Sequence, residues 1–190
     1  MKPKDIRHFK SQADLRKWLE ANHDSSTELW VGFYKKSSKK TGVTYAQAVD
    51  EALCFGWIDG IRQSVDDESF SNRFTPRRSK SVWSKINTEH IERLTQSGLL
   101  MPAGLREVEA AKADGRWKRA YEAPSKSTVP EDFLKALESN KKAKAFFGTL
   151  NNQNLFSITY RLQNSKKPET RERWVKRIIE MLAKGEKFHV

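Results

Sequence analysis

The apolar positions of this chain fall into short segments that alternate between helical and strand spacing. In SQADLRKWLEAN, residues 11–22, Ser11 stands where a helix cap belongs, Asp14 follows three positions on, and Leu15, Trp18 and Leu19 share one face. That pattern predicts a core-packing helix. LWVGFY, residues 29–34, is an aromatic and β-branched run between polar clusters, which predicts a buried strand with Gly32 marking a bulge or a close approach. The lysine-rich KKSSKKTG that follows reads as a solvated loop. Thr44 then opens a second helix, with Gln47 at the capping-box position three residues on. Tyr45, Ala48, Val49, Ala52 and Leu53 recur at 3.6-residue spacing as its buried stripe, Asp50 and Glu51 are expected to face water, and Gly56 to end it in the left-handed conformation.

Beyond Gly56, WIDGIRQSV and SFSNRFT flank the turn-forming Asp66, Asp67 and Glu68, and predict two antiparallel strands. Asn87 or Thr88 is expected to cap a helix that Gly98 ends, and Pro102 to open another that runs through Val108 and Ala111 to Gly115. APSKSTVP, with two prolines among small polar residues, marks a boundary between a domain at 1–122 and a subdomain at 123–190. After it, EDFLKAL behind Pro130, KKAKAFFGTL, LFSITYRL and the segment opened by Pro168 all read as helices. The expected class is therefore α+β: an antiparallel sheet packed by helices, followed by a helical C-terminal subdomain.

In the last helix Trp174, Val175, Ile178, Met181 and Leu182 form the apolar face, and Arg171 falls in the same arc. An inward guanidinium cannot be discharged by titration, so it must meet a carboxylate, carbonyls, an anion or water. A structural ion pair and an anion clamp both satisfy that demand.

Charge narrows the partners. The chain of 190 residues carries 36 Lys and Arg against 24 Asp and Glu, a formal +12. The last 70 residues hold 14 of the basic and 8 of the acidic groups, so the tail is the more densely basic part. Such a field favours anionic partners and opposes direct capture of cations. With 37% hydrophobic residues and six tryptophans the chain is excluded from the disordered class. The one cysteine, Cys54, permits no intrachain disulfide and suits a reducing compartment. MKPKDIRHFK has no signal-peptide core, and no apolar run approaches the ~18 residues of a membrane span, so a cytoplasmic location without membrane insertion is expected.

The candidate chemistry centres on GWIDG and FTPRRSKSVWSKIN. No acidic residue occurs between Ser69 and Thr88, while Arg73, Arg77, Arg78, Lys80 and Lys85 do. Arginine forks, the hydroxyls of Ser79 and Ser81 and the ring of Trp83 suit a phosphate or carboxylate. Trp57, Asp59, Arg77, Arg78, Ser81 and Trp83, joined by Arg171, are therefore the candidate ligand-binding residues. The competing expectation is structural, with Arg77 or Arg78 paired to Asp59 and both tryptophans in the core. No GxxxxGK[ST] or GxGxxG loop is present, and His8, His23, His90 and His189 have no HxH or HExxH spacing, so neither cofactor nor metal is expected. Cys54 lies off the apolar stripe, which leaves exposure open, but no neighbouring residue marks it as a nucleophile, and a buried or incidental thiol is the favoured expectation. No complete catalytic motif emerges, which favours a noncatalytic protein. The alternatives are an enzyme using Asp59 or Cys54 on a small anionic metabolite, and nucleic-acid binding by Lys166, Lys167, Arg173, Lys176 and Arg177, the latter not favoured.

EALCFGWIDG, FTPRRSKSVWSKIN, GLLMPAG, AKADGRW, VPEDFLKAL and KKPETRERWVKRI together resemble the bacteriocin-protection family, also called YdeI/OmpD-associated, from about Phe9 to Gly185. The resemblance implies kinship with the YjbR/CyaY-like and YdhG-like group. It also implies an antiparallel α+β architecture with a helical tail and a link to bacteriocin or antimicrobial-peptide resistance as a stress response. It transfers no active site.

Overall fold

The computed structural model describes residues 5–122 and 128–189, so residues 123–127 of the APSKSTVP boundary segment lie outside the described residues. The chain divides into two compact units, Met1–Ala120 and Tyr121–Val190.

The first unit is built on a four-stranded sheet. Its strands are β1 (Ile6–Arg7), β2 (Leu29–Tyr34), β3 (Trp57–Ser64) and β4 (Ser69–Pro76), in the order β1-β2-β4-β3. β2 and β3 both pair antiparallel with β4, but β1 runs parallel to β2, so the sheet is mixed rather than wholly antiparallel. A two-residue strand is too short to show alternation, which is why the sequence pattern gives no sign of it. Opposite residues in the ladder share a face. Leu29, Val31 and Phe33 therefore lie on the same side as Phe74, Asn72 and Phe70, and the contact of Phe33 with Tyr45 identifies that side as the one covered by helix.

Four helices complete this unit: α1 (Gln12–Asn22), α2 (Tyr45–Cys54), α3 (Lys85–Gln96) and α4 (Pro102–Ala113). Ser11 caps α1 by accepting from the Asp14 amide, and Thr44 and Gln47 form the full capping box of α2. α3 begins earlier than its Asn87 or Thr88 signal suggests, because Ser84 accepts from the Asn87 amide and fixes the first turn at Lys85. Gly56, Gly98 and Gly115 all have φ near +70°, the conformation a helix exit requires.

α2 departs most from its pattern, since it packs against α1, β3, α3 and α4 and is buried well beyond one stripe. Glu51, expected in water, is only 3% exposed and takes Gln12 and Arg16 as partners. Asp50 is held by His90 at 2.6 Å and Arg93 at 2.7 Å. Cys54 is 1% exposed, in keeping with the buried thiol favoured for it, whereas Tyr45, expected inside, is exposed at the helix start. Trp57, Trp83, Phe33 and Phe74 are the largest buried side chains of this core, each contributing about 2–3 kcal/mol by removal of apolar area from water.

The second unit holds α5 (Glu131–Glu138), α6 (Lys141–Phe147), α7 (Asn152–Gln163) and α8 (Pro168–Ala183) around a core of its own. Phe133, Ile158, Leu162, Ile178 and Leu182 are fully buried there, and Trp174, Val175 and Met181 pack against them. Asn140 and Asn151 cap α6 and α7, and Pro168 stands at the first turn of α8.

Candidate functional site

A cleft of about 540 Å³ opens beside the C-terminal end of β4. The loop at 23–27, between α1 and β2, supplies His23, Asp24, Ser25, Ser26 and Thr27, and the strand end supplies Arg73, Thr75, Pro76, Arg77 and Arg78. A smaller cavity of about 130 Å³ shares His23, Asp24, Pro76 and Arg77 and reaches Gly56, Ala103 and Arg106. The local fold makes this arrangement. β4 carries a string of residues without a carboxylate into Pro76, which ends the ladder, and the chain then turns at Arg78–Ser81, where the Ser81 amide donates to the Arg78 carbonyl at 2.8 Å.

The three guanidinium groups of the cleft have different status. Arg73 donates to Glu28 at 2.6 Å and is matched by that carboxylate. Arg77 is 7% exposed, lies flat over Trp83 at 3.6 Å and donates to the Val82 carbonyl at 3.3 Å. Arg78 is exposed, and among the described residues its side chain makes no hydrogen bond or ion pair; only its amide is used, donating to the Ser81 hydroxyl at 3.0 Å. His23 forms the inner wall, with Nδ1 2.9 Å from the Leu19 carbonyl and Nε2 3.2 Å from Asp24.

The remaining sequence candidates serve this cleft indirectly or lie elsewhere. Trp57 is 1% exposed and its indole N–H donates to the His23 carbonyl at 3.2 Å, so it anchors the loop rather than facing the opening. Trp83 is equally buried, packs on Trp117 with ring centroids 5.0 Å apart, and acts as the platform for Arg77. Ser81 shapes the turn, and its carbonyl accepts from Arg116 at 3.0 Å. Asp59 is opposite Phe74 in the ladder and so belongs to the helix-covered face, where the Tyr45 hydroxyl donates to it at 2.5 Å; Arg73 and Thr75 point to the other face. Strand alternation thus separates Asp59 from the cationic cleft.

The loop at 23–27 was not singled out in the sequence. Its signal is HDSST, a run of short hydroxyl and polar side chains between a helix end and a buried strand, which is also what an ordinary connection looks like. Cys54 offers no nucleophile. Burial pushes its thiol up to about 11, with Glu51 adding to the shift and Arg16 offsetting part of it, so little thiolate exists at neutral pH. Among the described residues no group of three or more His, Cys, Asp or Glu side chains is arranged to hold a metal ion.

Residues 7–107 match a family described as Domain of unknown function (DUF8412), and residues 126–185 match the family described as Bacteriocin-protection, YdeI or OmpD-Associated. The chain belongs to the first family. The resemblance expected from Phe9 to Gly185 is therefore divided between two families, and only 126–185 falls to the bacteriocin-protection one. No curated protein and no solved structure matches the chain.

Arg171 sits in the stretch that matches the YdeI/OmpD-associated family and finds its partners there. Its Nε and one terminal nitrogen donate to the two oxygens of Asp132 at 2.6 and 2.8 Å, and the other terminal nitrogen donates to the Leu162 carbonyl at 2.6 Å. Hydrogen bonding from Arg171 holds the Asp132 carboxyl below its ordinary value. The guanidinium clasps α8 to α5 and α7, which is the ion-pair outcome. It also borders a groove of about 610 Å³ with Ala136, Pro168, Val175 and Ile179. Lys166, Lys167, Arg173, Lys176 and Arg177 are all exposed on this domain, interspersed with Glu169 and Glu172.

Proposed function

We propose that this protein is a noncatalytic module of the bacteriocin-protection response, acting inside the cell, whose N-terminal unit captures an anionic small molecule in the cleft at the end of β4. The observation that carries the reading is Arg78: an exposed guanidinium with no side-chain partner among the described residues, at the rim of a cavity that also holds Arg77 and the hydroxyl-bearing Ser26, Thr27 and Thr75. A phosphate or carboxylate entering there completes a planar donor fork, with hydroxyls supplying further hydrogen bonds. The net charge of +12 raises the local concentration of such anions before contact. The C-terminal match to a family named for bacteriocin protection supports the physiological setting, and the same net charge favours an indirect role over sequestration of cationic peptides.

Calorimetric titration with inorganic phosphate and with a small dicarboxylate tests the reading. Arg78→Ala should weaken binding by roughly tenfold, the worth of one charge-assisted hydrogen bond, whereas Arg173→Ala on the other unit should leave it unchanged. Equal affinity in wild type and Arg78→Ala would remove the cleft from consideration.

A further inference from the structure

The loop after β4 carries a second feature that a small-anion cleft does not use. Val82 and Ile86 are 43% and 44% exposed, two aliphatic side chains left in water on the loop and on the first turn of α3. The exposed Arg78, Lys80 and Lys85 are their near neighbours in sequence, in the stretch of chain without an acid. The turn at 115–119 is tied to this loop by the Arg116 bond to the Ser81 carbonyl and by the packing of Trp117 on Trp83, and it adds the exposed Lys118 and Arg119. The acid beside it, Asp114, is matched by Arg116 at 2.6 Å. A rigid base supports the loop, since Trp83 is fully buried and covered by Arg77 at 3.6 Å.

From these features we infer that the loop at 78–86, with the turn at 115–119, is a docking face for an anionic lipid surface. Exposed cations interspersed with exposed aliphatic side chains suit a protein that lies on a membrane: the charges meet phosphate headgroups while the aliphatic groups enter the boundary with the acyl chains. Nucleic acid fits less well, because the aromatic rings of this region are committed to the core and cannot stack on bases, while exposed valine and isoleucine gain nothing from a phosphate backbone. No described helix is long and apolar enough to cross a membrane, so contact is peripheral. The face does not depend on the cleft reading; the two share only Arg78.

Co-sedimentation of the full chain with phosphatidylglycerol-containing vesicles, with neutral phosphatidylcholine vesicles and with duplex DNA tests the assignment. Each cation near an anionic leaflet is worth about fivefold in partitioning, so binding should require the anionic lipid and decline with salt. The double variant Val82→Asp, Ile86→Asp should bind anionic vesicles at least roughly tenfold more weakly, since it removes apolar contact and adds repulsion. If that variant loses its native circular dichroism, Val82→Ser, Ile86→Ser replaces it with the same expected direction. The assignment is overturned if wild type ignores anionic vesicles at low salt, if the apolar substitutions leave vesicle binding intact, or if duplex DNA is preferred to the vesicles. Phosphate calorimetry on the Val82, Ile86 variant separates the two proposals, because a working cleft would persist there when vesicle binding is lost.

Discussion

Replacing Gly104 by alanine should destabilise the first unit, although alanine is the better helix former. Gly104 lies in the first turns of α4, where that helix rests on the end of α2, and a Cβ there would stand 2.4 Å from the Cys54 carbonyl oxygen and 2.7 Å from that of Leu53. Both are backbone atoms that cannot rotate away. Ordinary carbon contacts lie near 3.5 Å, so α4 must retreat by roughly 1 Å, a gap that forfeits up to half of each dispersion contact at the interface. Overpacking of this kind costs about 1–3 kcal/mol, and the Met101 amide bond to the same Cys54 carbonyl, at 3.2 Å, is worth about 1 kcal/mol more. Against this stands a helix-propensity gain of about 1 kcal/mol. The net expectation is a loss of about 2 kcal/mol. Urea unfolding followed by tryptophan fluorescence reads this unit selectively, since Trp174 is the one tryptophan outside it. Gly148→Ala is the internal contrast: its φ is −63° and the added Cβ meets nothing closer than 3.5 Å, so the change should be neutral or stabilising by about 0.5 kcal/mol. A Gly104→Ala protein as stable as wild type would refute the close-approach reasoning.

Arg171→Met should cost the C-terminal domain about 2 kcal/mol, the three hydrogen bonds being discounted because the Asp132 side chain is 51% exposed. Because Arg171 lowers the Asp132 pKa, the pair contributes fully above the ordinary carboxylate range and loses its contribution as pH falls through the lowered folded value. The stability gap between wild type and Arg171→Met should therefore narrow in acid to what the Leu162 carbonyl bond contributes, and a gap by circular dichroism that stays the same across this pH range would contradict the pairing. The Cys54 thiol, 1% exposed and raised to about 11, should react with an aromatic disulfide reagent only in urea; rapid reaction of the native protein would mean that α2 opens readily. Trp57→Phe keeps a ring in the core but deletes the indole bond to His23, and should cost about 1 kcal/mol while weakening phosphate binding severalfold. Unaltered phosphate affinity in a folded Trp57→Phe protein would show that the loop needs no such tether.

Local chemistry made most elements legible. Thr44 with Gln47, Ser11 with Asp14, Pro168 and the glycines at 56, 98 and 115 each act within a few residues, so the helices they start or stop are encoded where they stand. The burial of Glu51 on α2 was not legible, because Gln12 and Arg16 cover it from a segment far along the chain, and helical periodicity describes one face of a helix rather than several packed against it. The candidate site was read in part. Residues adjacent in sequence, Arg77, Arg78 and Ser81, do meet at the strand end, but Asp59, a candidate for the same site, points away from them, which only the ladder register reveals. The loop at 23–27 comes to the cleft through a tertiary bond to Trp57, a relation that no spacing rule expresses.

That bond also blurs how loss-of-function substitutions should be classified. A search for weakened ligand capture would recover Trp57 alongside Arg78, although the first is sealed in the interior and the second faces the opening. Sorting hits by solvent exposure would discard Trp57 as a mere folding defect, whereas its indole nitrogen sets the position of a wall that the ligand would touch. Core and recognition surface are, at this one nitrogen, the same object.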